Sequence, residues 1–315
     1  MTAGGSHVWV VIPSYADPDA LLACLESVTA SRGPAPNVLV VDDASPDDTV
    51  AQVRRRFPQC VVVANSENVG FATTCNRGFA RALDEGAECV LLLNQDTVVS
   101  PDLVETLAAF LARHPDAGIV GPRTWLSRRA DDGRERLLYA GAWRTALPLR
   151  QRIPGIERVD TEDVRSPRQV DYVWGHGMMM RAQVLRQVGC LDTDFRMYYE
   201  DLDLCRRARA AGFTIWCEPS ATMWHDITDG ARAHGSEYWR WVCKVAGTSV
   251  FHRKHYGWPT APLLSLLTIA DEARQLLCGG HLRATGHLLT AALRHALGGR
   301  AAPARCVEAP AGRSA

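Results

Sequence analysis

Four short apolar runs, separated by segments with helical spacing, make up the first hundred residues. The runs at 8–12, 38–41, 60–64 and 90–93 are bounded by polar residues, which predicts four buried strands. Helical spacing predicts helices over 20–30 and 48–57, another that ends at Leu83, and a fourth from Pro101. This alternation predicts an α/β fold with a mostly parallel central sheet and helices on both faces, an architecture typical of nucleotide-binding domains.

The pattern changes after residue 122. Charge clusters and hairpin-like pieces over 123–169 predict a loop-rich insertion, and ordered segments return at 170–173, 177–181 and 182–188. An amphipathic helix is predicted over 201–211, followed by strands over 214–217 and 221–225 and a mostly helical stretch over 236–297. We therefore predict an α/β half at 1–122, a second half of the same domain at 123–235, a helical extension at 236–300 and a disordered tail at 301–315.

Charge balance and cysteine spacing limit which classes of protein this chain can belong to. Thirty-five Lys and Arg residues balance thirty-five Asp and Glu residues, which gives no electrostatic basis for nucleic-acid binding. The ten cysteines are scattered without paired metal-ligand spacing, which indicates a reducing compartment. We find no signal-peptide pattern, and the most apolar later run, 261–270, is too short to span a bilayer. We expect a cytoplasmic protein.

Polar residues follow the end of each predicted strand. The four loops contain Pro13 and Tyr15, then Asp42 and Asp43, then Asn68 and Gly70, and finally Gln95 and Asp96. Because the carboxyl ends of parallel strands share one edge of the sheet, these loops are expected to form one crevice. There Tyr15 can stack beside a base, and Asp42 or Asp43 can accept hydrogen bonds from a nucleoside. Asp96 can hold a divalent cation. The alternative is that these residues form ordinary turns.

A second group of acids begins the predicted helix at 201–211. Glu200, Asp201 and Asp203 follow two tyrosines, Tyr198 and Tyr199. A carboxylate aimed into a crevice can take a proton from an attacking hydroxyl as general base. The alternative is that these acids only complement the positive end of the helix dipole.

A third group surrounds His176, which lies between Gly175 and Gly177 and follows Trp174. The glycines allow the backbone to approach a ligand closely. The methionines that follow are interpreted as strand core. His225, at the end of a predicted strand, is either a metal ligand or a structural histidine.

Taken in this order, the motifs resemble those of the family-2 glycosyltransferases with the GT-A nucleotide-diphospho-sugar transferase fold, and most closely the bacterial rhamnosyltransferase-like branch. The matching segments are 12–15, 40–45, 68–71, 76–78, 93–96, 175–181, 188–192, 198–206 and 212–225. Together they lie within residues 8–226. Single segments are weak evidence, whereas eight or more in this order are specific.

The resemblance implies a role for each matching residue. It implies that the nucleotide sugar is bound by Pro13, Tyr15, Asp42, Asp43, Asn68, Gly70, Asn76 and Gln95, and that Trp174, Gly175, His176 and Tyr199 lie on the acceptor side. Asp201 matches the catalytic base, with Glu200 as its neighbour. Asp96 matches the last acid of a D-x-D metal motif, and His225 matches a metal or diphosphate ligand. Asn94 stands where that motif usually has its first acid, so the metal site carries less negative charge.

The implied reaction is transfer of rhamnose or another hexose, with inversion, from a dTDP-, UDP- or GDP-linked donor to an acceptor hydroxyl, assisted by Mg²⁺ or Mn²⁺. The acceptor class is a carbohydrate, a lipid-linked glycan or a small molecule. The alternatives are a non-catalytic sugar-nucleotide-binding relative and a nucleotidyltransferase, although Pro13 and Tyr15 do not resemble the phosphate loop of the latter. A dinucleotide oxidoreductase is excluded because no G-x-G-x-x-G follows the first strand.

The helical extension mixes aromatic and basic residues. They include Trp239, Trp241, Lys244, Arg253, Lys254 and Trp258. This mixture is typical of a helix face at a membrane surface, which would place the protein at the inner face of the membrane. Packing against the catalytic domain and a homodimer interface are the alternatives.

Overall fold

The computed structural model of the chain describes residues 7–127, 135–144, 151–152, 158–159, 165–226, 237–278 and 282–296. Its first four strands are β1 (Val8–Ser14), β2 (Asn37–Asp42), β3 (Val61–Ala64) and β4 (Cys89–Leu93). They pair in parallel in the order β4-β1-β2-β3. All four predicted strands are confirmed, because continuous apolar runs can be buried on both faces of such a sheet.

The connecting helices are α1 (Pro18–Thr29), α2 (Thr49–Arg56), α3 (Phe71–Asp84) and α4 (Leu103–Arg113). Asp17 caps α1 by accepting a hydrogen bond from the Ala20 N–H. Helix α3 packs closely on the sheet at Gly78, where a Cβ atom would lie 2.3 Å from Cγ1 of Val11. The predicted helices of the first half are confirmed to within a few residues at their ends.

The remaining elements complete a mixed sheet. They are β5 (Thr97–Val99), β6 (Ala117–Leu126), β7 (Arg136–Tyr139), β8 (Trp143–Arg144), β9 (Gln151–Arg152), β10 (Arg158–Val159), β11 (Arg168–Gln169), β12 (Gly177–Arg181), α5 (Ala182–Val188), α6 (Glu200–Ala210) and β13 (Thr214–His225). Strand β12 lies between β4 and β6 and is antiparallel to both. Strand β13 pairs in parallel with β6, and its end pairs antiparallel with β5. The sheet is therefore parallel in its first half and mixed beyond β4.

Two predicted boundaries differ from the structure. Strand β6 continues past Pro122 to Leu126, so the loop-rich insertion does not begin at 123. The two strands predicted at 214–217 and 221–225 are one strand, β13, with an irregularity between Glu218 and Thr222. In both places the partner strand supplies pairing that compensates for a local break in the apolar pattern. The predicted tail at 301–315 lies outside the described residues.

The chain divides into two compact units. The first unit comprises 1–193 and 200–230, and the second, the helical unit, comprises 194–199 and 231–315. The helical unit contains α7 (Glu237–Tyr256), α8 (Thr260–Cys278) and α9 (Leu282–Ala296). Its core includes Val245, Ala273, Leu288 and Ala291. Among the described residues, no helix is long and apolar enough to cross a membrane.

The segment 194–199 is held within the helical unit by close contacts. The Thr248 hydroxyl donates a hydrogen bond of 2.8 Å to the hydroxyl of Tyr199. A Cβ atom on Gly247 would lie 3.0 Å from the Tyr198 carbonyl oxygen, so α7 approaches this segment closely. Tyr198 and Tyr199 both have positive φ, at 69° and 75°. Such a backbone is strained for tyrosine and needs surrounding contacts to hold it.

Candidate active site

The loops after β1 and β4 are tied together by one side chain. Gln95 accepts a hydrogen bond from the Tyr15 N–H (2.9 Å) and donates one to the Tyr15 carbonyl (3.0 Å). Pro13 stands one residue before the end of β1, beyond the part of the strand that pairs with β4. The structure therefore brings Pro13, Tyr15 and Gln95 together at the predicted edge. Both ends of the Gln95 amide hold protein backbone, so we interpret Gln95 as a support of the Tyr15 loop.

Asp42 organises the loop after β2. It is 2% exposed and accepts hydrogen bonds from the Ser14 hydroxyl (3.2 Å), the Ser45 hydroxyl and the Ser45 N–H (2.9 Å). A carboxylate has about four acceptor sites, so about one is left for a ligand. The prediction of a nucleoside contact at Asp42 thus stays a prediction.

Asp43 organises the loop before α3. Its carboxylate accepts hydrogen bonds from the Asn65 amide (2.9 Å), the Val69 N–H (2.8 Å) and the Gly70 N–H (2.9 Å). The Asn68 amide donates to the Asp43 carbonyl (3.3 Å). Gly70 has a φ of +87°, in the left-handed region that favours glycine. The predicted residues Asp43, Asn68 and Gly70 therefore form one connected loop structure.

Asn76 faces a different part of the first unit. Its amide donates to the Leu191 carbonyl (2.8 Å) and its oxygen accepts from the Leu191 N–H (2.9 Å). Both polar ends of the side chain are thus used to hold α3 against the turn that follows α5. This double hydrogen bond accounts for an asparagine at position 76, and the predicted contact of Asn76 with the nucleotide sugar stays a prediction.

Asp96 pairs with His225 across two strands. Strand pairing aligns His225 with Thr97, so Asp96 and the histidine come side by side. The His225 Nε2 atom lies 3.0 Å from the Asp96 Oδ1 atom, and the two side chains are about 12% and 10% exposed. The resemblance implies that Asp96 is a metal ligand and His225 a metal or diphosphate ligand, and these two residues meet although they lie 129 positions apart in the chain.

Two further polar atoms of this region have no hydrogen-bond partner among the described residues. They are the buried Oδ1 atom of Asn94 and the buried Nδ1 atom of His225. Within the described ranges, no group of three or more His, Cys, Asp or Glu residues is arranged to hold a metal ion. Asp96, His225 and Asn94 offer one carboxylate, one imidazole and one amide oxygen, which are ligand types that a divalent transition metal accepts.

The ring of His176 packs against the ring of His225. The two imidazole rings stack with centroids 4.8 Å apart and planes 21° from parallel. The Nε2 atom of His176 lies 2.9 Å from the Thr124 hydroxyl, and its side chain is buried. Burial, together with the neighbouring His225, holds the pKa of His176 well below its ordinary value. His176 is therefore a neutral, buried residue that packs against His225, and its predicted place on the acceptor side stays a prediction.

Asp201 is held at the start of α6 by backbone donors. Its Oδ2 atom accepts a hydrogen bond from the Gly175 N–H (3.0 Å), and its Oδ1 atom accepts one from the Leu202 N–H (2.7 Å). Burial raises the pKa of Asp201 above the ordinary aspartate value, against the lowering effect of these hydrogen bonds. A carboxylate with a raised pKa is a stronger proton acceptor when it is ionised.

Glu200 is the buried neighbour of Asp201. It is 7% exposed, and its Oε2 atom has no hydrogen-bond partner within the part of the chain that the structure describes. Burial, and then the charge of Asp201, raise the pKa of Glu200 to about 8. Glu200 therefore carries a proton near neutral pH, whereas two backbone N–H groups favour the ionised form of Asp201.

The segment 174–176 contacts both Asp201 and the Asp96–His225 pair. The Gly175 N–H donates a hydrogen bond to Asp201. The ring of His176 stacks on His225, and the carbonyl of His176 accepts a hydrogen bond from the Asn94 N–H (3.2 Å). On the other side, the Trp174 ring stacks on the buried ring of Tyr139 with centroids 4.7 Å apart. This tripeptide therefore helps to position both Asp201 and His225.

The raised pKa of Glu200 predicts a pH dependence of stability. A carboxyl group with a folded-state pKa above its unfolded value stabilises the fold fully below the unfolded pKa of 4.5, and this stabilisation is lost as pH rises to about 8. We expect Glu200→Gln to remove this loss, which has a limiting slope of about 1.4 kcal/mol per pH unit for one proton. Urea unfolding of both proteins at several pH values between 5 and 9 measures it. Parallel stability curves would contradict the raised pKa.

Sequence reasoning missed four residues that shape the site. Thr124 and Tyr139 lie in the stretch interpreted as a loop-rich insertion, and the apolar residues after Pro122 were the signal that β6 continues. Asn65 directly follows β3, as the predicted site residues follow the other strands. Arg77 donates to the Asn65 amide oxygen from α3. Asn65 could therefore have been predicted from its position after a strand end, whereas Arg77, within a helix, could not be predicted in this way.

Comparison with known proteins agrees with this geometry. The model of the family described as glycosyl transferase family 2 matches residues 9–189. The chain is 27% identical over 272 residues to the N-acetylglucosaminyl-diphospho-decaprenol L-rhamnosyltransferase of Mycobacterium tuberculosis, a match that covers 81% of this chain and 87% of that protein. It is 22% identical over 227 residues to the dTDP-rhamnosyl transferase RfbF of Shigella flexneri, covering 71% and 70% of the two chains.

A solved structure shows the same fold. The mannosyltransferase PcManGT from Pyrobaculum calidifontis, in complex with GDP-Man and Mn²⁺, superposes with a TM-score of 0.60 at 17% identity. The match covers 94% of this chain and 89% of that one. The predicted GT-A fold and rhamnosyltransferase-like resemblance are confirmed. Because the family model covers more than half of its length, the chain belongs to glycosyl transferase family 2.

Proposed function

We propose that this glycosyltransferase moves a sugar from a nucleoside-diphosphate sugar to an acceptor hydroxyl by direct displacement, with inversion at the anomeric carbon. The observation that carries the proposal is the tripeptide 174–176, which holds Asp201 through Gly175 and supports His225 through His176. A displacement needs a base for the attacking hydroxyl and stabilisation of charge on the departing diphosphate. The tripeptide supports a residue for each of these two tasks.

Asp201 is the proposed base. Two backbone N–H groups hold its carboxylate in one orientation. The acceptor hydroxyl gives its proton to Asp201 as its oxygen bonds to the anomeric carbon. The neutral Glu200 beside it adds no second charge to the crevice near neutral pH, so the acceptor meets one carboxylate instead of two.

Asp96, His225 and Asn94 are the proposed ligands of a divalent cation, which when bound offsets the negative charge that develops on the leaving diphosphate. The unpartnered Asn94 Oδ1 atom and the Asp96 Oδ1 atom are oxygen donors, and His225 adds a nitrogen. Mg²⁺ prefers oxygen ligands, whereas imidazole is a better ligand for transition metals. We therefore propose Mn²⁺ as the preferred ion. Asn94 in place of an acid makes the site less negative and the binding weaker.

The donor and the acceptor are proposed from the relatives. Two of them are named as rhamnosyltransferases, one with a dTDP-linked donor and one with a decaprenol-linked acceptor. We propose dTDP-rhamnose as donor and a lipid-linked glycan as acceptor, with the protein working at the inner face of the membrane. The partly exposed Trp174 is the proposed acceptor contact, since its ring packs on Tyr139 and stands beside Gly175.

A donor screen tests the proposal. The purified full-length chain is incubated with dTDP-rhamnose, UDP-, GDP- and other dTDP-linked sugars and a prenyl-diphosphate glycan, with Mn²⁺, with Mg²⁺ or with EDTA. Product mass identifies the sugar transferred, and the released nucleoside diphosphate is quantified. Product from dTDP-rhamnose that disappears with EDTA supports the proposal. Binding of donor without product from any donor would support a non-catalytic sugar-nucleotide-binding protein instead.

The stacking of His176 on His225 predicts an effect on metal affinity. Groups that orient a metal ligand typically contribute 10–100-fold to affinity, so His176→Ala is expected to weaken Mn²⁺ binding by about 10–100-fold. Electron paramagnetic resonance of free Mn²⁺ measures this without turnover. Thr124→Val, which removes only the hydroxyl beside His176, is the matched variant and is expected to have a smaller effect. Unchanged Mn²⁺ binding in a folded His176→Ala protein would show that the stacking does not orient His225.

A further inference from the structure

Helices α8 and α9 present exposed leucines at helical spacing. We call this set the leucine face: Leu263, Leu266 and Leu267 on α8, and Leu282, Leu289 and Leu293 on α9. Their exposed fractions range from 46% to 71%. In α8 the spacing is i, i+3, i+4, and in α9 it is i, i+7, i+11, so each set lies on one side of its helix.

The opposite sides of both helices are buried in the helical unit. Leu288 is 1% exposed, whereas its neighbour Leu289 is 51% exposed. Ser265 and Ala273 of α8 are buried as well. Each helix therefore has an inner side that packs in the core and a second apolar side that does not. Single exposed leucines are common on proteins, but six at regular spacing on two neighbouring helices mark an interaction surface.

The charges around the leucine face identify the kind of partner. Residues 237–296 contain seven Lys and Arg residues but three Asp and Glu residues, although the whole chain is balanced. Residues 256–270 contain no charged Asp, Glu, Lys or Arg side chain. Just before them, Arg253 and Lys254 are exposed in the last turn of α7, and Trp258, at the turn into α8, is 82% exposed.

Basic residues, an exposed tryptophan and a leucine-rich helix side are the parts of a helix that lies in a membrane interface. The basic residues contact anionic headgroups, the tryptophan lies at the headgroup level, and the leucines enter the acyl boundary. A second copy of the chain is a poorer partner, because self-association would bring two positively charged surfaces together. The contact is with the surface of the bilayer, because basic residues and an exposed tryptophan beside an apolar helix side are features of an interfacial helix.

We propose that the leucine face, with Arg253, Lys254 and Trp258, docks the protein on an anionic lipid bilayer. This deepens the proposed function, because a lipid-linked acceptor would be met at that surface. The chemistry recognised is a negatively charged headgroup layer above an apolar interior, and no specific lipid is required.

Vesicle co-sedimentation of the full-length chain tests the proposal. Vesicles of phosphatidylcholine alone are compared with vesicles that also contain phosphatidylglycerol. We expect binding to the anionic vesicles, at least about tenfold stronger than to the neutral ones and weakened by added salt. The variant Leu263→Gln/Leu266→Gln/Leu267→Gln is expected to lose at least about tenfold of this binding. Arg253→Gln/Lys254→Gln is expected to lose the preference for anionic vesicles.

Val98→Gln is the matched control, because Val98 is also an exposed apolar residue (40%) but lies on β5 in the first unit. It should bind vesicles as the unchanged protein does, and thermal melting checks that all variants are folded. Sedimentation velocity tests whether the leucine face instead binds a second copy of the chain. The proposal would be overturned if neither the unchanged protein nor the leucine variant bound vesicles and the leucine substitutions converted a dimer into a monomer. Turnover of donor with a soluble acceptor is measured in parallel, so that failed docking is distinguished from failed transfer.

Discussion

Asp201→Asn is expected to reduce kcat by about 10²–10⁴-fold, the usual contribution of a general base. Asparagine keeps the size of the side chain and can still accept a hydrogen bond from the Gly175 or Leu202 N–H, but it cannot take the acceptor proton. Donor binding should change little, because the base acts on the acceptor. Initial rates at saturating donor and acceptor, with nucleotide binding measured by calorimetry, test this expectation.

The pH profile gives this prediction a second readout. Because burial raises the pKa of Asp201, activity should fall as pH decreases through a value above that of an ordinary aspartate, and this acid limb should be absent in Asp201→Asn. Asp102→Asn makes the same chemical change at the exposed ion pair with Arg32 and is the control. If Asp201→Asn stays within about threefold of the unchanged protein, Asp201 is not the base.

Asp96→Ala is expected to abolish the dependence on metal together with activity, a loss of at least about 10²-fold, because stabilisation of leaving-group charge is worth several kcal/mol. The reason is the charge of the donor set: without this carboxylate, only the His225 ring and the Asn94 amide oxygen remain. Rates measured against Mn²⁺ concentration, and Mn²⁺ binding by electron paramagnetic resonance, report activity and occupancy separately.

Asn94→Asp is the matched counterpart of Asp96→Ala. It restores the acid that the family motif usually has at this position, and the added charge is expected to tighten Mn²⁺ binding by about tenfold. If Asp96→Ala bound Mn²⁺ as well as the unchanged protein, the proposed ligand set would be wrong. If it lost Mn²⁺ but remained active, the cation would not contribute to the reaction.

Local pattern was sufficient for much of the first half of the chain. Each of β1 to β4 is an apolar run, and each is followed by residues that the structure places at one edge of the sheet, such as Tyr15 and Gln95. Parallel strands bring their carboxyl ends together regardless of the details of packing. For this reason the candidate crevice, and Asp96 within it, could be predicted without coordinates.

Roles within that crevice were harder to predict. Asn76 and Gln95 were assigned to the ligand, but each uses both ends of its amide on protein backbone. A polar side chain in a loop has the same sequence signature whether it contacts a ligand or a distant carbonyl. The hydrogen bond of Asn76 to Leu191, 115 residues away in the chain, is visible only in the tertiary structure.

The sequence by itself determined the α/β architecture, the strand ends that carry Asp42, Asp43 and Asp96, and the acidic start of α6 with Asp201. These features depend on short-range periodicity and on the geometry common to all parallel sheets. The tertiary structure alone decided that His176 stacks on His225 and that the Gly175 N–H holds Asp201. Those contacts join the segment directly before β12 to β13 and α6, and their geometry depends on strand register and packing that no local pattern encodes.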